Sequence, residues 1–424
     1  MKSLFPDQFM WGSATAAHQV EGNNLNSDVW VEEHAEGSPY KDKSGDAIDH
    51  YQRYREDIAL LAGMGLNTYR FSIEWARVEP EPGDYSYAVI EHYRDVLKAC
   101  YEHGLTPVVT LHHFTSPRWL MRFGGWASSE TPARFANYCK FVFEEIGELI
   151  PYVQTMNEVN LPVLLKGLFT KMNIVPPVGI DASYWTAPKW REVSAEQCGT
   201  TMDRYFTFHM ASDDNSIRIV NEAHILARAA IKAIRPDAKV GLSMALSDMQ
   251  SIPGGEENAQ EAWDAIFQPY LAAIQEDDFF GLQNYTREVY GAEGQLPPAM
   301  DAELTQMGYE YYPEALENVI RRVASVLKLP ILISENGIAT DNDARRIEFI
   351  RSALSGVQSC IADGIDIRGY LYWSAFDNFE WQFGYSKTFG IIGVNRATQE
   401  RTIKESGNFL GRIAKNNEID LTIS

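Results

Sequence analysis

Short apolar, β-branched or aromatic runs recur along the whole chain, spaced widely enough for a helix to fit between most neighbours. They span 9–14, 68–75, 106–114, 153–158, 239–245, 279–286, 331–335 and 369–373. Runs of this length and composition predict buried strands. The segments between them carry helical period. In 51–61, Tyr51, Tyr54, Ile58 and Leu61 fall on one face. In 135–150, Phe135, Tyr138, Cys139, Val142, Ile146 and Leu149 do the same. Thr131-Pro132 reads as a helix start, a hydroxyl N-cap followed by proline. Gly104 and Gly364 close helices just before strands, where positive φ is useful.

Strands alternating with helices predict a parallel sheet with crossover helices. No G-x-G-x-x-G follows an early strand, which removes the main support for a dinucleotide-binding sheet. Eight units across 424 residues predict a closed (β/α)8 barrel with elaborated βα loops. No linker divides the chain, so residues 1–424 read as a single domain. The least regular stretch, 160–216, holds Trp185, Trp190, Tyr205, Phe206 and Phe208 and reads as a loop after the fourth strand.

Charge and cysteine usage narrow the partners. The formal net charge of -21 repels nucleic acid and anionic membrane surfaces. Cys100, Cys139, Cys198 and Cys360 include no C-x-x-C pair, so reduced thiols in a cytoplasmic protein are expected. Pro6 and Asp7 interrupt the N-terminal apolar residues, so no signal peptide is read there. No apolar stretch approaches the roughly 18 residues of a spanning helix. No H-E-x-x-H or similar spacing calls for a metal, and no cofactor is expected.

In a barrel, the C-terminal ends of the strands carry the chemistry. Two predicted strands end in glutamate: Val153 to Glu158 and Ile331 to Glu335. Either glutamate alone reads equally as a solvated strand end. Two on facing strands are what glycoside hydrolysis requires, one protonated and one ionised. Arg70 on the second strand is either a structural ion-pair partner or the cation that keeps Glu335 charged. Tyr285 can donate a hydrogen bond to the same carboxylate. His112 and His113 are adjacent on a strand, so at most one faces the interior. Near the C-terminus, Trp373 and Trp381 bracket Asp377 and Glu380, aromatic faces and carboxylates of the kind that bind sugar rings and hydroxyls.

These residues together resemble glycoside hydrolase family 1, the β-glucosidase and β-galactosidase family, from Phe5 to about Asn395. The likeness rests on Phe5-Pro6-x-x-Phe9-x-Trp11-Gly12-x-Ala14-Thr15-Ala16-x-His18-Gln19-x-Glu21-Gly22, on Tyr69 to Arg77, and on His112-His113-Phe114-Thr115. It rests also on Thr155-Met156-Asn157-Glu158 and Ser334-Glu335-Asn336-Gly337. The resemblance implies double displacement with retention, Glu158 as general acid/base and Glu335 as nucleophile, supported by Arg70, Asn157 and Tyr285. It implies that Gln19, His113, Trp373, Glu380 and Trp381 bind the terminal sugar. Glu380 stands where members acting on 6-phosphosugars carry a smaller polar residue, so small neutral β-glycosides or oligosaccharides are expected. The alternatives are a 6-phospho-β-glycosidase and an inactive sugar-binding barrel. Three positions depart from the family pattern: Val159 for proline, Gln283 for asparagine and Thr388 for arginine.

Overall fold

The computed structural model describes residues 2–170 and 188–420. Each of the predicted strands is present. β1 (Met10–Ala14), β2 (Thr68–Ser72), β3 (Thr106–Thr110) and β4 (Tyr152–Gln154) are followed by β5, made of Lys239–Gly241 and Ser243–Ala245. β6 (Phe280–Gln283), β7 (Ile331–Asn336) and β8 (Ile367–Trp373) complete the set. Every pairing among them is parallel, and β8 pairs back onto β1, with Trp373 opposite Ala14. The first half of β5 pairs with β4 and the second half with β6, so the ring closes through β5. Side chains along β1, β2, β6 and β7 are buried without exception, because both faces of a barrel strand are covered.

The helices that cover the ring are α1 (His50–Met64), α2 (Tyr87–Glu102), α3 (Thr131–Ile146), α4 (Asp214–Ile234), α5 (Glu256–Ile274), α6 (Ala315–Val326), α7 (Asp343–Ala362) and α8 (Glu405–Asn416). Gly104 and Gly364 take φ of 72° and 87° behind α2 and α7, as their placement before strands predicts. The start of α3 differs from expectation. Thr131 already lies in the helix, and its hydroxyl donates to Gly125 O at 2.5 Å instead of capping.

Four strands end earlier than their apolar runs suggest. β2, β3, β4 and β6 stop at Ser72, Thr110, Gln154 and Gln283. Past each stop the backbone leaves the ladder; Phe114 and Glu158 take φ of 70° and 43°, which no strand can hold. The stretch 160–216 is more regular than expected. It contains helices Leu161–Thr170 and Pro188–Gln197 before α4 begins. Trp190, Tyr205 and Phe208 are buried there, and Trp185 lies outside the described residues.

Near the C-terminus a hairpin, Ile392–Val394 with Arg401–Ile403, reaches back to the start of the fold. Arg401 donates to both oxygens of Asp57 on α1, at 2.7 and 3.0 Å. Both side chains are buried. Burial pushes the Asp57 carboxyl up, but hydrogen bonds from His50 and Arg401 outweigh it and hold the carboxyl below its ordinary range. The chain of contacts continues from Asp57 to His50 (2.8 Å), to Tyr69 (3.1 Å) and to Thr15 (2.7 Å) just past β1. The four cysteines are free and buried. Among the described residues no helix is long and apolar enough to cross a membrane.

Candidate active site

A cavity opens at the C-terminal end of the barrel. His113, Asn157, Glu158, Tyr285, Glu335, Trp373, Glu380 and Trp381 line it, all singled out from the sequence. Phe114, Met307, Tyr309 and Phe389 line it too, and the sequence reading gives none of them a site role. Arg70 and Gln19 stand one layer behind, Arg70 against Glu335 and Gln19 against Glu380.

The two strand-end glutamates sit in opposite surroundings. Glu335 is the last residue but one of β7, with Gly337 just beyond. A methyl group on Gly337 would lie 1.9 Å from the Trp373 carbonyl oxygen, so glycine lets the ends of β7 and β8 approach closely. The Glu335 carboxylate accepts hydrogen bonds from Arg70 Nη1 (2.5 Å), Gln283 Nε2 (3.0 Å) and the Tyr285 hydroxyl. Burial raises its pKa above the ordinary carboxylate range, with Arg70, Tyr285 and Gln283 opposing the rise. Glu158 has no such donors. Neither of its carboxyl oxygens has a hydrogen-bond partner among the described residues. Burial first, then the charge of Glu335, drive its pKa well above the carboxylate range, with Arg70 opposing and Glu380 adding to the rise. Of the two, Glu335 has the donors that favour a charged carboxylate and Glu158 has none, so the proton is held more strongly at Glu158.

The supports form one network. Arg70 Nη2 donates to Asn157 Oδ1 at 2.6 Å, and its Nε to Gln154 Oε1 at 2.5 Å. Gln283, longer than the asparagine expected there, reaches Asn157 Oδ1 (2.8 Å) as well as Glu335. Ser243 on β5, which no motif indicated, donates to Asn157 Oδ1 at 3.2 Å and accepts the Glu158 N–H at 3.3 Å. It thereby holds the left-handed turn at Glu158. Val159 also has a use: its N–H donates to Ser243 O at 3.2 Å, a bond proline cannot make.

The remaining walls are aromatic. The rings of His113 and Trp373 lie 5.8 Å apart and nearly parallel, and His113 to Trp381 is 6.3 Å. Asn157 Nδ2 lies 3.2 Å from His113 Nε2. Burial and the nearby Arg70 push the His113 pKa far down, so the ring is neutral and accepts that bond. His112 turns away from the cavity, although it lies past the end of β3. It contacts Ser116 Oγ at 3.0 Å and packs on Trp126 and Phe208. Gln19 donates to Phe379 O (2.8 Å) and to Glu380 Oε2 (3.3 Å). Burial and the charge of Glu335 push Glu380 to about 8, against the Gln19 bond and Lys387. Asp377 is not part of the cavity; Lys404 and the Gly390 N–H bind it instead, each at 2.9 Å. Among the described residues no cluster of three or more His, Cys, Asp or Glu could hold a metal.

Comparison with known proteins agrees with this geometry. The glycosyl hydrolase family 1 profile matches residues 1–304 and 270–419. A β-glucosidase A from Acetivibrio thermocellus is 30% identical, over 98% of this chain and 99% of its own. The crystal structure of β-glycosidase BGL167 superposes with a TM-score of 0.91 at 48% identity, covering 99% of both chains. A Thermotoga maritima β-glucosidase solved in complex with glucoimidazole gives a TM-score of 0.82 at 27% identity, covering 99% of this chain and 100% of that one. With the family profile matched over almost its whole length and relatives covered end to end, the chain belongs to glycosyl hydrolase family 1 and is a glycosidase.

Proposed function

We propose that the chain is a retaining β-glycosidase that removes terminal β-D-glucosyl residues from neutral glycosides, with galactosyl and fucosyl residues as slower substrates. The observation that carries this reading is the contrast within one cavity: Glu335 accepts three donors, and Glu158 has none. In the first step a Glu335 oxygen attacks C1 while Glu158 gives its proton to the departing glycosidic oxygen, and the C1–O bond breaks. In the second, Glu158 takes a proton from water, whose oxygen attacks C1 and releases Glu335. Asn157 holds the 2-hydroxyl. Gln19, His113, Trp373, Glu380 and Trp381 hold the rest of the sugar. The glucoimidazole complex of the Thermotoga relative supports a glucose-shaped occupant. Glu380 occupies the position where members acting on 6-phosphosugars carry a smaller polar residue, which supports a neutral sugar. Residues 1–424 act as one catalytic unit, and four free buried thiols suit action in the cytoplasm.

A panel of nitrophenyl β-glucoside, β-galactoside, β-fucoside and 6-phospho-β-glucoside, with the product anomer followed by NMR, tests the proposal. The glucoside is expected to turn over fastest, the phosphorylated substrate not at all, and the β-anomer to appear first. An α-anomer as first product, or no turnover on any member, overturns it.

Gln283 gives a second test. Gln283→Leu removes a donor to the charged form of Glu335, so the Glu335 pKa rises. Activity needs Glu335 ionised, and the acid limb of kcat/KM therefore moves to higher pH, by about 1 unit. Arg70, Tyr285, Glu158 and Glu380 are the other groups that set this limb. A limb that stays in place would show that the Gln283 bond does not act on Glu335.

A further inference from the structure

β4 and β5 pair in regular parallel register as far as Gln154, opposite Gly241. Two more backbone bonds continue the seam. The Thr155 N–H donates to Gly241 O at 2.9 Å, and the Ser243 N–H to Met156 O at 3.2 Å. Then the chain turns at Glu158, whose φ of 43° takes it out of the ladder. Beyond that turn a side chain closes the seam. The Asn160 amide nitrogen donates to Ala245 O at 2.7 Å, and its oxygen accepts the Ala245 N–H at 3.0 Å. Both residues are buried, so the polar backbone groups of Ala245 need partners, and the carboxamide supplies a donor and an acceptor together.

Asn160 stands immediately before the helix Leu161–Thr170, and its carbonyl oxygen accepts the Val163 and Leu164 N–H groups at 3.1 and 3.2 Å. An asparagine side chain at such a position ordinarily caps the first turn of its helix. Here both ends of the amide face the neighbouring strand instead. On its other edge Ala245 pairs with Gln283, which donates to Glu335. The clamp therefore links the peptide that carries Glu158 to the wall that holds Glu335. Glu158 has no side-chain anchor of its own, since neither carboxyl oxygen has a partner among the described residues. Its direction is set by its backbone, and a non-glycine residue at positive φ persists only where its surroundings enforce it. Ser243 Oγ holds the Glu158 N–H, and Asn160 holds the chain two residues later. Val159, between them, lacks the ring with which the family's proline would stiffen this segment.

We propose that Asn160 is a positioning residue for the acid/base: by clamping Ala245 it fixes the direction in which Glu158 presents its carboxyl. Asn160 does not line the cavity and acts through Glu158. The inference rests on the acid/base role given to Glu158 above.

Two glucosides test it, one with an alkyl and one with a dinitrophenyl leaving group. Asn160→Ala is expected to lower kcat/KM on the alkyl glucoside about tenfold, because a displaced acid delivers its proton poorly. On the dinitrophenyl glucoside kcat/KM should stay within about twofold, since that group leaves without a proton. There kcat and KM should fall together, because the second step still needs Glu158 as base. Asn160→Asp, equal in size and still able to accept the Ala245 N–H, is expected to shift the ratio of the two substrates the same way by a smaller factor. A residue that only holds the fold would lower kcat/KM equally on both substrates, and that result overturns the proposal. So does an unchanged ratio, or the failure of both variants to fold. Failure of the underlying reading is distinguishable, because Glu158→Ala would then slow both leaving groups alike, whatever the Asn160 variants do.

Discussion

Glu335→Gly is expected to lower the hydrolysis of an aryl β-glucoside on the order of 10,000-fold or more, because no other group in the cavity can form the bond to C1. The substitution also removes the acceptor of three buried donors. Arg70 is fully buried, and loss of its carboxylate partner costs about 3–5 kcal/mol where nothing replaces it. Asn157 and Gln154 still accept from Arg70, so the fold survives with a lower melting temperature. Azide restores both losses in part. It brings a negative charge to the space beside Arg70 and attacks C1 from the side Glu335 occupied, while Glu158 still protonates the leaving oxygen. The product is the α-glycosyl azide, which NMR identifies. Wild-type turnover in the variant, or a β-azide as the rescued product, would refute Glu335 as nucleophile.

Glu158→Ala is expected to separate substrates by leaving group. An alkyl glycoside, whose departing oxygen needs a proton, should lose about 10²–10⁴-fold in kcat/KM. A dinitrophenyl glycoside leaves unaided and should lose little in its first step, after which the glycosyl enzyme accumulates because no base activates water. The pH profile changes as well. In the wild type Glu158 must be protonated, and its raised pKa places the loss of activity on the alkaline side. That limb disappears in the variant, and any fall that remains near pH 8 belongs to Glu380. Stopped-flow measurement of the nitrophenolate burst checks both expectations. Equal slowing of good and poor leaving groups would remove Glu158 from the acid role.

How far the sequence alone reaches depends on what each residue answers to. The strands were legible because burial on two faces writes an apolar run, and Glu158 and Glu335 were legible because they end such runs. Ser243 was not, since a serine inside a strand looks like any other. Its importance comes from Asn157, 86 positions away in the chain. Tyr309 and Met307 were hidden for the same reason. Their turn has no periodicity, and what carries it to the cavity is a bond from Gln306 to Thr388, 82 positions later. Strand alternation predicted correctly that His112 and His113 part company, although both lie past the end of β3. The aromatic-rich stretch 160–216 reads from the sequence as a loop after the fourth strand, whereas Trp190, Tyr205 and Phe208 are buried. Composition alone does not separate an aromatic residue that stacks on a ligand from one that fills a core.

The union of Arg401 with Asp57 makes the last stretch of the chain part of the foundation. A protease cut or a truncation that removed Arg401 would leave the buried Asp57 side chain of α1 with His50 as its remaining hydrogen-bond partner among the described residues. Strain introduced there would pass through Tyr69 to Thr15, four residues before Gln19, whose side chain contacts Glu380 in the cavity wall. Trimming this enzyme from its C-terminal side, a common first step in making a barrel smaller, would therefore reach the active site from the opposite end of the molecule.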